Sequence, residues 1–405
     1  MLGAPVLQSN HGPNAASQQA KPYVVLLSLG GFRFDYARKF GAVHLLELAA
    51  RGAAAPEGML PAYPSLTFPD QYTLVTGLYP EHHGIVADRF YDPARKQVFS
   101  ASDPASRADG SWYGGQPLWA LAEKQGMRTA CYLWPGSDAE IAGIRPSYYL
   151  KYDERAEGEE PIRQVTAWLR MPPDLRPHLI ALSYPDAEIA GRRYGPESPQ
   201  TAAAVKRLDR LVGELRENLD RLHLPIDLIV VSDHGMEQAA GSRIDLDRYA
   251  DLSSIRTVGP LLYPDSDAAA EAIYQSLKIK SDQFTVYRRS RLPAGLHFDR
   301  NPREGDPVVI ATGPYPIQAH APAAGDDAPA WQGVDGYDAR EMQSMRGIFI
   351  AAGPDIRPGA TLEPFESVNV FPLLVRILAL DVADGRAGSD GSLNVLAGIL
   401  VSGRQ

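Results

Sequence analysis

The chain has 405 residues, 44% of them hydrophobic and 22% charged, enough to bury one large α/β unit or two to three smaller ones. A formal charge of −9 leaves no basic surplus to meet phosphate backbones, so nucleic-acid polymers and anionic membrane surfaces are excluded as general partners. The single cysteine, Cys131, rules out an intrachain disulfide and a cysteine zinc cluster, and no run nears the ~20 apolar residues that span a bilayer.

Residues 1–20, rich in Gly, Pro, Asn, Ser and Gln, read as a disordered tail that lacks the basic start and apolar run of an export signal. Tyr23 to Leu29 is a near-continuous apolar run that stops at Gly30-Gly31. Runs of the same kind recur at Thr129–Trp134, His178–Tyr184, Ile226–Ser232 and Gly347–Ala351, the pattern of strands covered on both faces. Between them lie helical patterns. The clearest is Thr201–Leu222, where Val205, Leu208, Val212, Leu215, Leu219 and Leu222 recur every three or four residues. Alternation of this kind predicts an α/β fold: a layered domain with a central, mostly parallel sheet flanked by helices. Its expected limits are residues 21–255 and 336–396, with a small α+β insertion over 256–335 and a tail over 397–405. Within the insertion, the pattern predicts a helix near Ala268–Leu277, strands near Gly259–Tyr263, Phe284–Tyr287 and Pro307–Thr312, and a closing loop over His320–Pro329. His82-His83 and His297 read as structural, and Arg288-Arg289 with Arg291 as a solvated face.

Ligands of open α/β sheets sit beyond the carboxyl ends of the strands. Notable residues fall at those ends: Gly30-Gly31-Phe32-Arg33, Glu188 to Arg192, Ser232-Asp233-His234-Gly235-Met236, and Asp335-Gly336-Tyr337-Asp338 before the last core strand. Pro64-Ser65-Leu66-Thr67-Phe68-Pro69 adds a hydroxyl in a proline-flanked turn ahead of a helical stretch, Asp70–Thr76. Asp233-His234 after a buried strand suits zinc or manganese, although an isolated Asp-His pair is also a common cap and hydrogen-bonding unit.

Together with Tyr72 to Val86, Tyr91-Asp92-Pro93 and Gly195-Pro196, these segments resemble the nucleotide pyrophosphatase/phosphodiesterase family of the alkaline phosphatase superfamily. The resemblance runs in order from about residue 23 to 355. It implies two zinc ions held by six side chains, a threonine nucleophile and in-line displacement at phosphorus. Carried over by position, the nucleophile is Thr67, and Asp233 and His234 are retained metal ligands. Gly30 stands where the first strand should end in a ligating Asp. Glu188 replaces an Asp (Asp186 is the other candidate), Arg192 replaces a His, and Asp335 replaces the late His. Asp88 stands for an asparagine that grips phosphoryl oxygen. Phe68, Trp134 and Tyr149 fall where the resemblance puts contacts to the leaving group.

Arg192 has no lone pair to give a metal, so it is expected in an ion-pair cluster with Glu188 and Asp335. The replacements imply a member whose dizinc hydrolysis is lost or strongly weakened, a pseudoenzyme. It would hold no ion or one weakly bound Zn, Mn or Mg at Glu188, Asp233, His234 and Asp335. Its ligand would be a phosphate ester or nucleotide-like small molecule, and relatives of this kind are usually periplasmic or secreted. The alternative is an active phosphodiester or phosphomonoester hydrolase that uses Thr67 and a rebuilt single-metal or Arg-assisted site.

Overall fold

A computed structural model describes residues 6–9, 11–151, 158–278, 281–321, 332–382 and 388–401. One nine-stranded sheet organises them. In chain order its strands are β1 (Leu7–Gln8), β2 (Tyr23–Leu29), β3 (Ala53–Ala54), β4 (Thr129–Tyr132), β5 (Tyr148–Tyr149), β6 (Leu179–Tyr184), β7 (Ile226–Val231), β8 (Phe349–Ala352) and β9 (Ala360–Thr361). Their order across the sheet is β1-β5-β4-β6-β2-β7-β8-β3-β9. The run from β5 to β7 is parallel, while β1 and β8 pair antiparallel with β5 and β7.

The β2 sequence explains why it takes the middle of the sheet. Val24 and Leu26 pack into one apolar cluster, and Val25, Leu27 and Leu29 into another on the opposite face. With both faces buried, every second residue must be apolar on each side, and the sequence reads as a continuous run. The long helix α3 (Pro199–Asp220) covers one face through Val205, Leu208, Val212, Leu215 and Leu219. It starts two residues before the expected Thr201, because Ser198 caps it by accepting from the Thr201 N–H and Pro199 fits the first turn.

Within the expected tail, the described residues 6–9 and 11–20 are tied to the domain. β1 pairs with Tyr148-Tyr149, and the buried Asn14 side chain donates to the carbonyls of Pro173 and Arg176 while accepting from the Arg128 N–H. Backbone pairing and one buried amide thus hold a composition that looks unfoldable by itself.

Over the stretch expected as an insertion, the chain forms a strand at Leu261–Tyr263, a helix over Asp267–Leu277, and strands at Phe284–Tyr287 and Val308–Ala311. Its apolar cluster also takes in Ile244, Leu246 and Leu252, upstream of the expected boundary at residue 256. Past Ala321, the expected loop over 320–329 lies outside the described residues. Arg288 is not a solvated residue. Its side chain is 12% exposed and pairs with Asp267, Glu271 and Asp306. Among the described residues no helix is long and apolar enough to cross a membrane.

Candidate active site

Strands β2, β6 and β7 run parallel and end side by side, so the segments after Leu29, Tyr184 and Val231 converge. After β2 comes Gly30, whose N–H donates to the Tyr184 carbonyl, and then Gly31 at φ +64°. A side chain at Gly31 would strike the Glu188 backbone, since its Cβ would lie 2.8 Å from the Glu188 Cα. Without one, the Gly31 N–H reaches Asp233 Oδ1 at 3.0 Å. After β6 comes helix α2 (Asp186–Tyr194), which carries Glu188 and Arg192 one turn apart on one face. Asp186 turns elsewhere, buried against Arg207, which leaves Glu188 as the carboxylate facing the site.

Thr67 opens helix α1 (Thr67–Thr76) behind Leu66, which is extended and offers no capping side chain. Asp88 takes over part of that duty by accepting from the Phe68 N–H at 3.0 Å. A carboxylate beside the first turn also meets the positive end of the helix dipole. Burial nevertheless pushes the Asp88 carboxyl above its ordinary range, with Arg192 opposing.

The Thr67 hydroxyl donates to Glu188 Oε1 at 2.8 Å and lies 3.3 Å from His234 Nε2. His234 is fully buried, and its Nδ1 lies 2.7 Å from the Gly235 carbonyl. That carbonyl can only accept, so it fixes the proton on Nδ1 and turns Nε2 toward Thr67. Burial lowers the affinity of His234 for a second proton, but Asp233, Asp335 and Glu188 outweigh it and raise the imidazole to about 9. Asp233 is clamped from all sides. Its Oδ1 accepts from the N–H groups of Gly31 and His234 and from the Ser232 hydroxyl, and its Oδ2 from Gln71. Arg192 lies 3.0 Å from Glu188 Oε1 and 2.6 Å from Asp335 Oδ2.

The sequence-predicted residues Thr67, Asp88, Glu188, Arg192, Asp233, His234 and Asp335 therefore meet in one place. Ligand atoms of Glu188, Asp233 and His234 lie within 4.8 Å of one another, so these three can hold one ion. A second ion would have to lie where Arg192 already bridges Glu188 and Asp335, against a fixed positive charge that brings no lone pair. The donors fit one ion and do not fit the implied pair.

A cavity of about 530 Å³ opens beside Thr67, lined by Phe68, Asp88, Glu188 and Arg192 and at its mouth by Arg89 and Arg193. Of the three residues expected at the leaving group, Phe68 lines this cavity. Trp134 does not: it is fully buried, and its indole N–H donates to the Gln71 carbonyl, so it backs α1 from the core. Tyr149 is likewise absent from the wall, being tied into the sheet opposite Leu7. Sequence reasoning missed Arg89 and Arg193, exposed basic residues of the commonest kind, and the clamping role of Gln71, which becomes visible only when α1 lies against β7.

A family model described as type I phosphodiesterase / nucleotide pyrophosphatase matches residues 24–338. The human ectonucleotide pyrophosphatase/phosphodiesterase family member 1 is 33% identical over 96% of this chain and 43% of its own length. The Xenopus laevis bis(5'-adenosyl)-triphosphatase enpp4 is 30% identical over 90% of this chain and 79% of its own. The chain thus spans less than half of the first of these relatives. Among solved structures, murine ectonucleotide pyrophosphatase/phosphodiesterase 5, an inactive form in complex with AMP, superposes with a TM-score of 0.85 at 28% identity. That match covers 94% of this chain and all of the murine one.

Proposed function

This chain belongs to the type I phosphodiesterase / nucleotide pyrophosphatase family, and within it we propose a member that has lost two-metal hydrolysis but still receives a phosphate ester or nucleotide-like small molecule. One observation carries the reading: Arg192 bridges Glu188 and Asp335 where the second ion of the family would need donors. When bound, a metal pair supplies Lewis acidity to the attacking and leaving oxygens. Without it, the Thr67 hydroxyl keeps its proton near neutral pH and is a weak nucleophile. Asp88 adds a carboxylate next to the position of the phosphoryl group. Arg192, Arg89 and Arg193 supply the charge that suits an anionic ligand, and guanidinium groups bind phosphate in a bidentate fashion.

The hydrogen bond from Thr67 to Glu188 favours a second reading, slow hydrolysis over a rebuilt single-metal or Arg-assisted site, with Glu188 taking the hydroxyl proton.

Turnover of a nitrophenyl phosphodiester and binding of AMP by calorimetry separate the two. The proposal expects AMP binding that weakens in Arg193→Ala, with hydrolysis no faster than in Thr67→Ala. Hydrolysis at least about 100-fold above Thr67→Ala would establish the second reading instead. Placing Asp, Asp, His and His together at positions 30, 188, 192 and 335 is expected to recover a second bound ion.

A further inference from the structure

We infer that Glu188 replaces, from the adjoining first turn of α2, the carboxylate that Gly30 lacks, so that Glu188, Asp233 and His234 form one site for a divalent cation. This rests on the reading above that Arg192 closes the second position, and it adds which residue rebuilds the first.

Gly30 and Glu188 belong to different elements, the end of β2 and the first turn of α2. A Cβ built on Gly30 would lie 3.2 Å from Glu188 Oε2, so the Glu188 carboxylate reaches into the space that a side chain at Gly30 would fill. Aspartate at 188 would be one methylene too short for that reach. The loss at position 30 and the extra methylene at 188 are thus two halves of one exchange. A side chain at 30 would crowd this carboxylate, and a shorter one at 188 would leave the space vacant.

The remaining donors are set for an ion rather than for a salt bridge alone. Asp233 and His234 are fully buried, and four hydrogen-bond donors fix the Asp233 carboxylate. The Gly235 carbonyl engages His234 Nδ1, the outer contact that orients ligating histidines. Two carboxylates and one imidazole are a donor set for Mn²⁺ or Zn²⁺, with the Thr67 hydroxyl 3.3 Å from His234 Nε2.

The test titrates the full chain with Mn²⁺ alone and Zn²⁺ alone, reading stoichiometry by metal analysis and affinity by calorimetry. One ion per chain is expected. Glu188→Gln is expected to weaken binding at least tenfold, on the order of a lost metal-site contact. Combining Gly30→Asp with Glu188→Ala, which removes the group that would crowd position 30, is expected to return affinity to within about threefold of the parent, because the carboxylate re-enters from the end of β2. Should Glu188→Gln fail to fold by circular dichroism, Glu188→Asp asks the same question, with the same rescue by Gly30→Asp. Wild-type affinity in Glu188→Gln, no rescue by Gly30→Asp, or no bound ion in the parent would each overturn the inference, and none of them touches the loss of two-metal hydrolysis. Two ions per chain would instead overturn that loss, while the dependence on Glu188 still tests the inference.

Discussion

Two arginines in this molecule sit among carboxylates, and their surroundings set them apart. Arg288 in the insertion gathers Asp267, Glu271 and Asp306, all partly or largely exposed. Arg192 gathers Glu188 and Asp335, whose side chains are 12% and 8% exposed, beside the fully buried Asp233 and His234. The arginines themselves are both largely covered, at 12% exposed for Arg288 and 26% for Arg192, so the difference lies in the carboxylates. Where these face solvent an ion pair contributes little, because water screens it and ordering long side chains costs entropy. Out of water, removing one partner strands the other charge. The same residue types therefore tie a helix to a turn in one place and join two carboxylates of the candidate site in the other.

The largest effect expected from breaking this contrast is at Arg192. Arg192→Met leaves Glu188 and Asp335 as neighbouring buried carboxylates and is expected to destabilise the fold by about 3–5 kcal/mol, read from urea melts. Adding Glu188→Gln and Asp335→Asn to it is expected to recover most of that loss. A loss below about 1 kcal/mol would mean that the cluster behaves like a surface pair.

The insertion also has a buried carboxyl of its own. Glu304 accepts from the Asn301 N–H in a capping box, and burial lifts it to about 8, with Arg289 opposing. A raised folded value means that the folded state holds the proton more tightly. Its contribution is full below the ordinary glutamate value of 4.5 and disappears as pH rises through 8. Stability is thus expected to decline between those limits by an amount on the order of 5 kcal/mol, and Glu304→Gln to flatten the slope. A slope unchanged in Glu304→Gln would place the titration elsewhere.

The smallest effect belongs to Arg288→Met. Its melting temperature is expected to fall by no more than a few degrees, and the difference to fade in roughly 0.5 M salt. A salt-independent loss as large as that at Arg192 would erase the contrast between the two clusters.

What the sequence made legible follows from where the information is local. β2, β6 and β7 were readable because strands buried on both faces leave long apolar runs, and their ends then had to carry the site. Thr67 was readable from its proline-flanked turn and the family resemblance. Between Asp186 and Glu188 the spacing to Gly195-Pro196 favours Glu188; two residues along a helix turn a side chain by more than half a circle, and Asp186 does face away, toward Arg207. Trp134 was misplaced for a different reason. An aromatic residue after a strand looks the same whether it lines a cavity or supports the helix behind it. The Arg288 cluster was illegible because Asp306 lies 18 residues away in the chain.

The short pairing of Leu7–Gln8 with Tyr148-Tyr149 has a consequence for solution behaviour. It caps the outer margin of the nine-stranded sheet, whose unpaired amides would otherwise be open to a strand from another molecule. A version of the chain beginning after Gln8 would bare that margin, and self-association through it is the form in which the missing cover would show itself.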